Sequence, residues 1–302
     1  MGDKLKTVTI IAGATASGKT KFSLNFAQNH NGIIINADSQ QLYKSLPILT
    51  AQPNATEQSL CPHALFGTLD DDDYMSAAAW AEAAATLIKQ AWIDNKHPIL
   101  VGGTGFYLKA LLDGFSPMPT IPLSVRDKWI QNFAEIGADE FHKNLMRDDP
   151  ETASRLHKHD KQRLIRAREV FDVTQKSLSE WQKLPAIQML PEAVYNIYII
   201  NLPRAILYDR CNQRIHNMLA AGALEEVKTL HDRLQNKSAP VTKALGYFEF
   251  CDALKGVTTL DHAIEQTALT TRHYAKRQVT WFNNQIKPQA NIHSIEIINH
   301  AV

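Results

Sequence analysis

Gly13-Ala14-Thr15-Ala16-Ser17-Gly18-Lys19-Thr20 is the stretch that decides the reading of this chain. It follows the apolar run Val8-Thr9-Ile10-Ile11-Ala12 and opens a helical pattern with Phe22, Leu24, Phe26 and Ala27. It therefore fits G-x-x-x-x-G-K-[ST] in the strand–loop–helix setting that the motif requires, a phosphate-binding P-loop. The glycines let backbone N–H groups converge on an anion. The helix N-terminus adds roughly half a positive charge, and Lys19 supplies a whole one. Thr20 can hold Mg²⁺ through its hydroxyl. The loop alone leaves open whose phosphates it holds.

A chain of 302 residues, 44% hydrophobic and 21% charged, can bury a large core as one domain or two. With 32 Lys+Arg against 31 Asp+Glu, a nucleic-acid surface has to come from local clustering and not from the overall balance. Cys61, Cys211 and Cys251 lie far apart and form no C-x-x-C pair. That argues against a zinc knuckle or a disulfide framework and fits a reducing cytoplasm. Met1 to Lys6 runs into the first strand without an apolar signal core, and no stretch approaches the roughly 18 apolar residues of a membrane span.

Working outward from the loop, Gly32-Ile33-Ile34-Ile35-Asn36 reads as a buried parallel strand with Asp38 at its C-terminal end. Ligands of open α/β sheets collect at the carboxyl ends of strands, which puts Asp38 and the P-loop on one crevice. An Asp-Ser pair also serves as a cap or turn. Here the runs Ile99-Leu100-Val101 and Tyr195 to Ile200 end without an acid, so Asp38 is the one well-placed carboxylate to accept a proton or hold a metal. Pro47 to Cys61 reads as irregular. Asp70-Asp71-Asp72-Asp73 reads as a solvated loop favouring the N-terminus of a helix from Ser76 to Asn95, in preference to a metal site. Pro98 to Gly105 reads as a strand and glycine turn before a helix from Phe106 to Leu112. The glycines suit either a close approach to a ligand, with the Thr104 hydroxyl beside the P-loop, or a plain structural turn.

From Asp113 the texture changes. Gly114 to Pro122 is a proline-rich connector, helical patterns follow to about Trp181, and Pro185 and Pro191 mark a second connector. The strand Val194 to Asn201 then returns the chain to the sheet. The fold expected is α/β, a P-loop NTPase-like parallel sheet flanked by helices with an inserted all-helical domain. Its parts are a core of residues 1–113 and 191–302 and an insertion of residues 114–190. In the insertion, Lys158 to Arg168 is strongly basic, with Gln162, Arg163 and Arg166 on one helical face, either a solvated face or a nucleic-acid contact. The last third is helical: Arg204 to Ala221 with Arg210 and Arg214 one turn apart, Leu224 to Leu234, Val241 to Leu254, and Thr258 to about Gln285. Tyr274, Trp281 and Phe282 read as core, and Ile295 to Ile298 as a terminal strand.

Taken in order, Gly13 to Thr20, Asp38-Ser39-Gln40-Gln41-Leu42-Tyr43, Val101 to Gly105, Gln162 to Ala167, Ala244-Leu245-Gly246-Tyr247 and Thr271 to Phe282 resemble the bacterial tRNA dimethylallyltransferase family along nearly the whole chain. The resemblance implies transfer of the dimethylallyl group of dimethylallyl diphosphate to N6 of the adenosine just 3′ of the anticodon, with the P-loop on the donor's diphosphate. It implies that Lys19 and Arg214 stabilise the departing diphosphate, that Thr20 binds Mg²⁺, that Asp38 takes the N6 proton, and that Thr104 lies between donor and adenine. It assigns tRNA contacts to Asp38, Ser39, Gln40, Gln41, Thr104, Arg126, Gln162, Arg163, Leu164, Ile165 and Arg166, and to Lys243–Phe248 and Tyr274–Trp281. Gln40 or Gln41 would read the flipped adenosine or its neighbours. No membrane is implied, and a monomer is expected.

The sequence departs from the family at Ala14, at Pro47 to Pro53, which lacks the usual Asp and Lys, and at His63, one histidine where two are frequent. The rivals are a P-loop small-molecule kinase, which would use the same loop for ATP, a free-adenylate prenyltransferase, which leaves the basic helices surplus, and a tRNA-binding module without catalysis, which leaves Lys19, Thr20, Asp38 and Arg214 unexplained.

Overall fold

The computed structural model of the protein describes residues 6–299; Met1 to Leu5, the lead-in without a signal core, lies outside them. The chain forms two compact units, Met1–Leu112 with Met189–Val302, and Asp113–Gln188.

In the first unit, β1 (Lys6–Gly13) is buried along almost its whole length and feeds the P-loop and α1 (Lys19–Asn29). Then come β2 (Gly32–Asn36), α2 (Ala55–Leu60), a two-residue β3 (His63–Ala64), α3 (Ala77–Ile93), β4 (His97–Gly102) and α4 (Gly105–Asp113). The strands pair in parallel in the order β3-β2-β4-β1 on one side, with Ile10 opposite Leu100 and Ile35 opposite Leu100 on β4's other edge. Continuous burial of β1 and β4 follows from helices covering both faces of a parallel sheet.

The irregular reading of Pro47 to Cys61 misses α2, whose Asn54 and Glu57 form a reciprocal cap. The acidic run is not simply solvated. Asp70 pairs with Lys44 at 2.8 Å, Asp71 is only 9% exposed and holds Arg233 at 2.6 Å, and Asp72 accepts from Asn236. Ser76 caps α3 instead, accepting the N–H of Ala79.

Between its two connectors, which meet in an antiparallel bridge of Phe115 with Ile187, the second unit is built of helices: α5 (Leu123–Asp148), α6 (Pro150–Arg155), α7 (Lys161–Thr174) and α8 (Leu178–Gln182). Gly137 breaks α5 with φ 77°, a left-handed conformation that glycine adopts at little cost. Phe141, Leu145, Leu164, Ile165 and Val170 form its core. Asp149 ties α6 to α8, accepting the N–H groups of both Thr152 and Ser179.

The chain re-enters the first unit through β5 (Ala193–Ile200), which runs parallel beside β1 with Ile10 opposite Ile197. Then follow α9 (Arg204–Ala220), α10 (Ala223–Arg233), a 3₁₀ turn at Pro240–Lys243, α11 (Tyr247–Leu254), the long α12 (Leu260–Gln285) and β6 (Ile292–Ile298). The single helix expected from Val241 to Leu254 is split where Gly246 turns at φ 91°. The terminal strand is longer than Ile295 to Ile298 and lies parallel to β5. Cys61, Cys211 and Cys251 are free thiols, all buried.

Candidate active site

The carboxyl ends of the parallel strands bring one cluster together. β1 delivers the P-loop, β2 delivers Asp38, β4 delivers Gly103 and Thr104, and α9 delivers Arg210 and Arg214. Left-handed turns at Ala16 (φ 61°) and Gly18 (φ 101°) bend the loop, and α1 starts at Gly18 with no side chain capping it. The first N–H groups of that helix lack intrahelical partners, which makes the loop an anion cradle. Inside it the Ser17 hydroxyl is buried with no hydrogen-bond partner. A Cβ on Gly13 would come within 2.7 Å of the Ile200 carbonyl, so this close approach to β5 requires glycine.

Lys19 Nζ donates to the Ala14 carbonyl at 2.7 Å. Burial pushes its ammonium down to about 8; Asp38 partly restores it, and Arg214 depresses it further. Burial likewise lowers Arg214, with Asp38 opposing. Lys19, Asp38 and Arg214 therefore stand within electrostatic reach of one another, two cations and one carboxylate, all three half-buried. Arg214 Nη2 donates to the Thr50 carbonyl at 3.1 Å, and Arg210 Nη1 to the Ser17 carbonyl at 3.2 Å.

Asp38 is set by Asn36, a fully buried residue that sequence reading passed over. The Asn36 amide donates to the Asp38 and Leu65 carbonyls and accepts the Asp38 N–H at 2.8 Å, while Trp80 donates to the Asn36 carbonyl. Asp38 Oδ1 accepts the Gln40 N–H at 3.0 Å. The Thr104 hydroxyl accepts the Ser39 N–H at 2.9 Å, and the Thr104 N–H donates to the Ala37 carbonyl. Thr104 is thus stitched to the turn that presents Asp38. Tyr274 of α12, read as core, also borders the site: burial and then the Asp38 charge raise its hydroxyl's pKa.

Two alternatives that the sequence leaves open are narrowed. The glycines of the β4 turn serve packing within the protein: a Cβ at Gly102 would strike Ala37, at Gly103 the Gln278 amide, and at Gly105 the Trp281 ring. Gln41 spends its amide N–H groups on the Thr50 and Ala51 carbonyls, whereas the buried Gln40 Oε1 has no partner. The atypical Pro47–Pro53 loop is held by Glu226 of α10, whose carboxylate accepts the Ile48 and Leu49 N–H groups at 2.9 and 2.8 Å.

In the helical unit, Gln162 and Arg163 are exposed on α7 and Arg126 is half-buried on α5. Leu164 and Ile165 are 0% and 3% exposed, so their side chains belong to that unit's core. The basic run is also less bare than it reads. Lys158 pairs with Asp139 at 2.7 Å, Arg163 with Asp160 at 3.0 Å, Arg166 with Glu169 at 2.7 Å, and Arg168 with Asp148.

Among the described residues no group of three or more His, Cys, Asp or Glu could hold a metal, and no helix is long and apolar enough to cross a membrane.

The profile of the IPP transferase family matches residues 41–285. A tRNA dimethylallyltransferase of Paramagnetospirillum magneticum is 42% identical over 277 residues, 92% of this chain and 88% of the relative. One from Oleidesulfovibrio alaskensis is 41% identical over 280 residues, 92% and 90% of the two chains. Among solved structures, a tRNA isopentenylpyrophosphate transferase from Bacillus halodurans superimposes with TM-score 0.66 at 32% identity, covering 98% of this chain and 91% of that one. A eukaryotic dimethylallyltransferase acting on tRNA gives TM-score 0.78 at 29% identity over 96% and 73%. The profile begins after the P-loop and Asp38, yet the full-length relatives and the parallel sheet agree with it, and the chain belongs to the IPP transferase family.

Proposed function

We propose that the protein transfers the dimethylallyl group of dimethylallyl diphosphate to N6 of the adenosine 3′-adjacent to the anticodon of tRNA, releasing diphosphate. The observation that carries this reading is the grouping of Lys19, Arg214 and Asp38 at the P-loop. In the reaction, the bond from the allylic carbon to the diphosphate oxygen breaks and a bond from that carbon to N6 forms. The electron pair leaves with the diphosphate, and N6 must lose one proton. Cations fixed where the leaving charge develops lower the barrier, and a carboxylate beside them receives the proton. Lys19, Arg214 and the loop N–H groups take the first role and Asp38 the second.

Beside Thr15 and Arg214 lies a cavity of about 40 Å³, lined largely by Leu49, Ile215, Met218 and Phe250. Its largely apolar lining suits a short hydrocarbon. The Gln41 amide is committed to the Thr50 and Ala51 carbonyls, which leaves Gln40 to read the adenosine edge.

A divalent cation fits the chemistry of the site. Mg²⁺ is commonly held by one or two protein oxygens plus substrate phosphates and water. Thr20, exposed at the start of α1, would supply the hydroxyl. The ion would neutralise charge on the diphosphate. Arg126, Gln162, Arg163 and Arg166 of the helical unit are assigned to the tRNA. Three buried free thiols suit the cytoplasm.

Labelled dimethylallyl diphosphate offered together with unmodified tRNA or AMP tests the reading. Label in tRNA, lost when the target adenosine is replaced, is expected. Label in AMP, or phosphate transfer from ATP instead, would overturn it.

A further inference from the structure

Gln278 lies in the α12 segment that family resemblance assigns to tRNA, but it faces inward and is 5% exposed. Its Oε1 accepts the Thr15 N–H at 2.8 Å, and its Nε2 donates to the Gly103 carbonyl at 2.8 Å. The first partner sits in the P-loop and the second at the end of β4. The fit is tight, since a Cβ on Gly103 would lie 2.2 Å from Nε2. One turn along α12, the Trp281 ring closes on Gly105 in the same way, 2.2 Å from where a Cβ would sit. A single amide therefore bridges the loop for the donor and the turn for the acceptor. Gly103 leads directly to Thr104, whose hydroxyl holds Ser39 next to Asp38.

The chemistry of the bridge selects glutamine. Thr15 offers a donor and Gly103 an acceptor, so the link needs one of each on a neutral group. A carboxylate would meet the Gly103 carbonyl with an oxygen, and an ammonium would meet the Thr15 N–H with another donor. A neutral link also leaves the balance among Lys19, Arg214 and Asp38 undisturbed.

We propose that Gln278 is a positioning residue that fixes the separation of the P-loop from the Thr104–Asp38 turn. The allylic carbon and N6 are thereby held at attack distance. The proposal rests on the reading that the loop takes the allylic diphosphate and that Asp38 faces the amine. It predicts a defect in the chemical step with little change in the binding of either substrate.

The test compares Gln278→Leu and Gln278→Glu with the unaltered chain. Single-turnover transfer is measured at saturating dimethylallyl diphosphate and tRNA, alongside titration of tRNA alone, of inorganic diphosphate alone, and thermal melting. Gln278→Leu should slow transfer by roughly a hundredfold, the cost of about an ångström of misplacement, with both dissociation constants held within about threefold. Gln278→Glu keeps an oxygen for Thr15 and, once protonated, can donate to Gly103. Its rate relative to the unaltered chain should therefore climb as pH falls.

A full rate in Gln278→Leu, or a loss matching the fraction of diphosphate sites that no longer titrate, would reduce Gln278 to a structural stitch. Should Gln278→Leu fail to fold, a flat pH ratio for Gln278→Glu overturns the proposal equally. An unaltered chain that labels no tRNA would instead fail the underlying reading of the site.

Discussion

At Lys19, folding and function pull in opposite directions. Burial disfavours the ammonium and outweighs the attraction of Asp38. A bound diphosphate wants it charged. Binding of an allylic diphosphate should therefore take up a proton above about pH 8, and affinity should fall as pH rises through that value. Calorimetry in buffers of different ionisation enthalpy would show the uptake, and Lys19→Arg should abolish it. The sign for stability follows from linkage. The folded group sits below its ordinary 10.5, so between about 8 and 10.5 the unfolded chain binds more protons and the unliganded protein gains stability with rising pH. Lys19→Met should accordingly raise the unliganded Tm while transfer falls roughly a hundred- to a thousandfold. At Asp38 the expectation concerns the chemical step. Asp38→Asn should slow single turnover by roughly a hundred- to ten-thousandfold with diphosphate affinity little changed; recovery in excess Mg²⁺ would make Asp38 a metal-site residue instead.

These two residues were legible in the sequence because a P-loop has fixed spacing and because strand ends gather ligands. Asn36 and Gln278 were not, since a buried amide that shapes a turn has no pattern of its own. Its partners are backbone groups, at Leu65 for one and 175 residues away at Gly103 for the other.

On the scale of elements, α7 shows how a charge run misleads. The face with Gln162, Arg163 and Arg166 was readable from helical spacing, but Arg163 is paired with Asp160 of the turn before α7 and Arg166 with Glu169 of α7 itself, while Asp139 and Asp148 of α5 take Lys158 and Arg168. Glu169 is 1% exposed, and one of its oxygens rests on Arg166 while the other has no partner. Arg166→Ala would strand that carboxylate. It should destabilise the helical unit by about 1–3 kcal/mol in chemical denaturation, an effect that Arg166→Gln with Glu169→Gln should largely recover. Arg163 pairs with Asp160 on the surface, so Arg163→Ala should be nearly silent for stability. It should flatten the salt dependence of tRNA binding by about one unit of slope if Arg163 meets a phosphate. Loss of tRNA binding in an Arg166 variant alone therefore does not locate a contact. The same limits apply to boundaries: β1, β2 and β4 were readable as apolar runs, whereas β3 has two residues and α5 breaks at a glycine that a helical pattern passes over.

For the whole molecule, the distribution of sulfur between the two units has a practical consequence. Cys61, Cys211 and Cys251 all belong to the α/β unit and are 9%, 0% and 2% exposed; residues 113–188 contain no cysteine. A thiol reagent thus meets an inert native protein and reacts only when the α/β unit opens. Cys211 packs in one apolar cluster with Ala14 and Ala16 of the phosphate loop, so filling that loop should slow its labelling more than that of Cys251. Mass spectrometry of the three peptides, with and without inorganic diphosphate, would check this, and equal protection of all three would indicate global opening alone. The helical unit stays dark to the reagent, so the chain comes with an internal clock that times the breathing of its catalytic half and ignores the other.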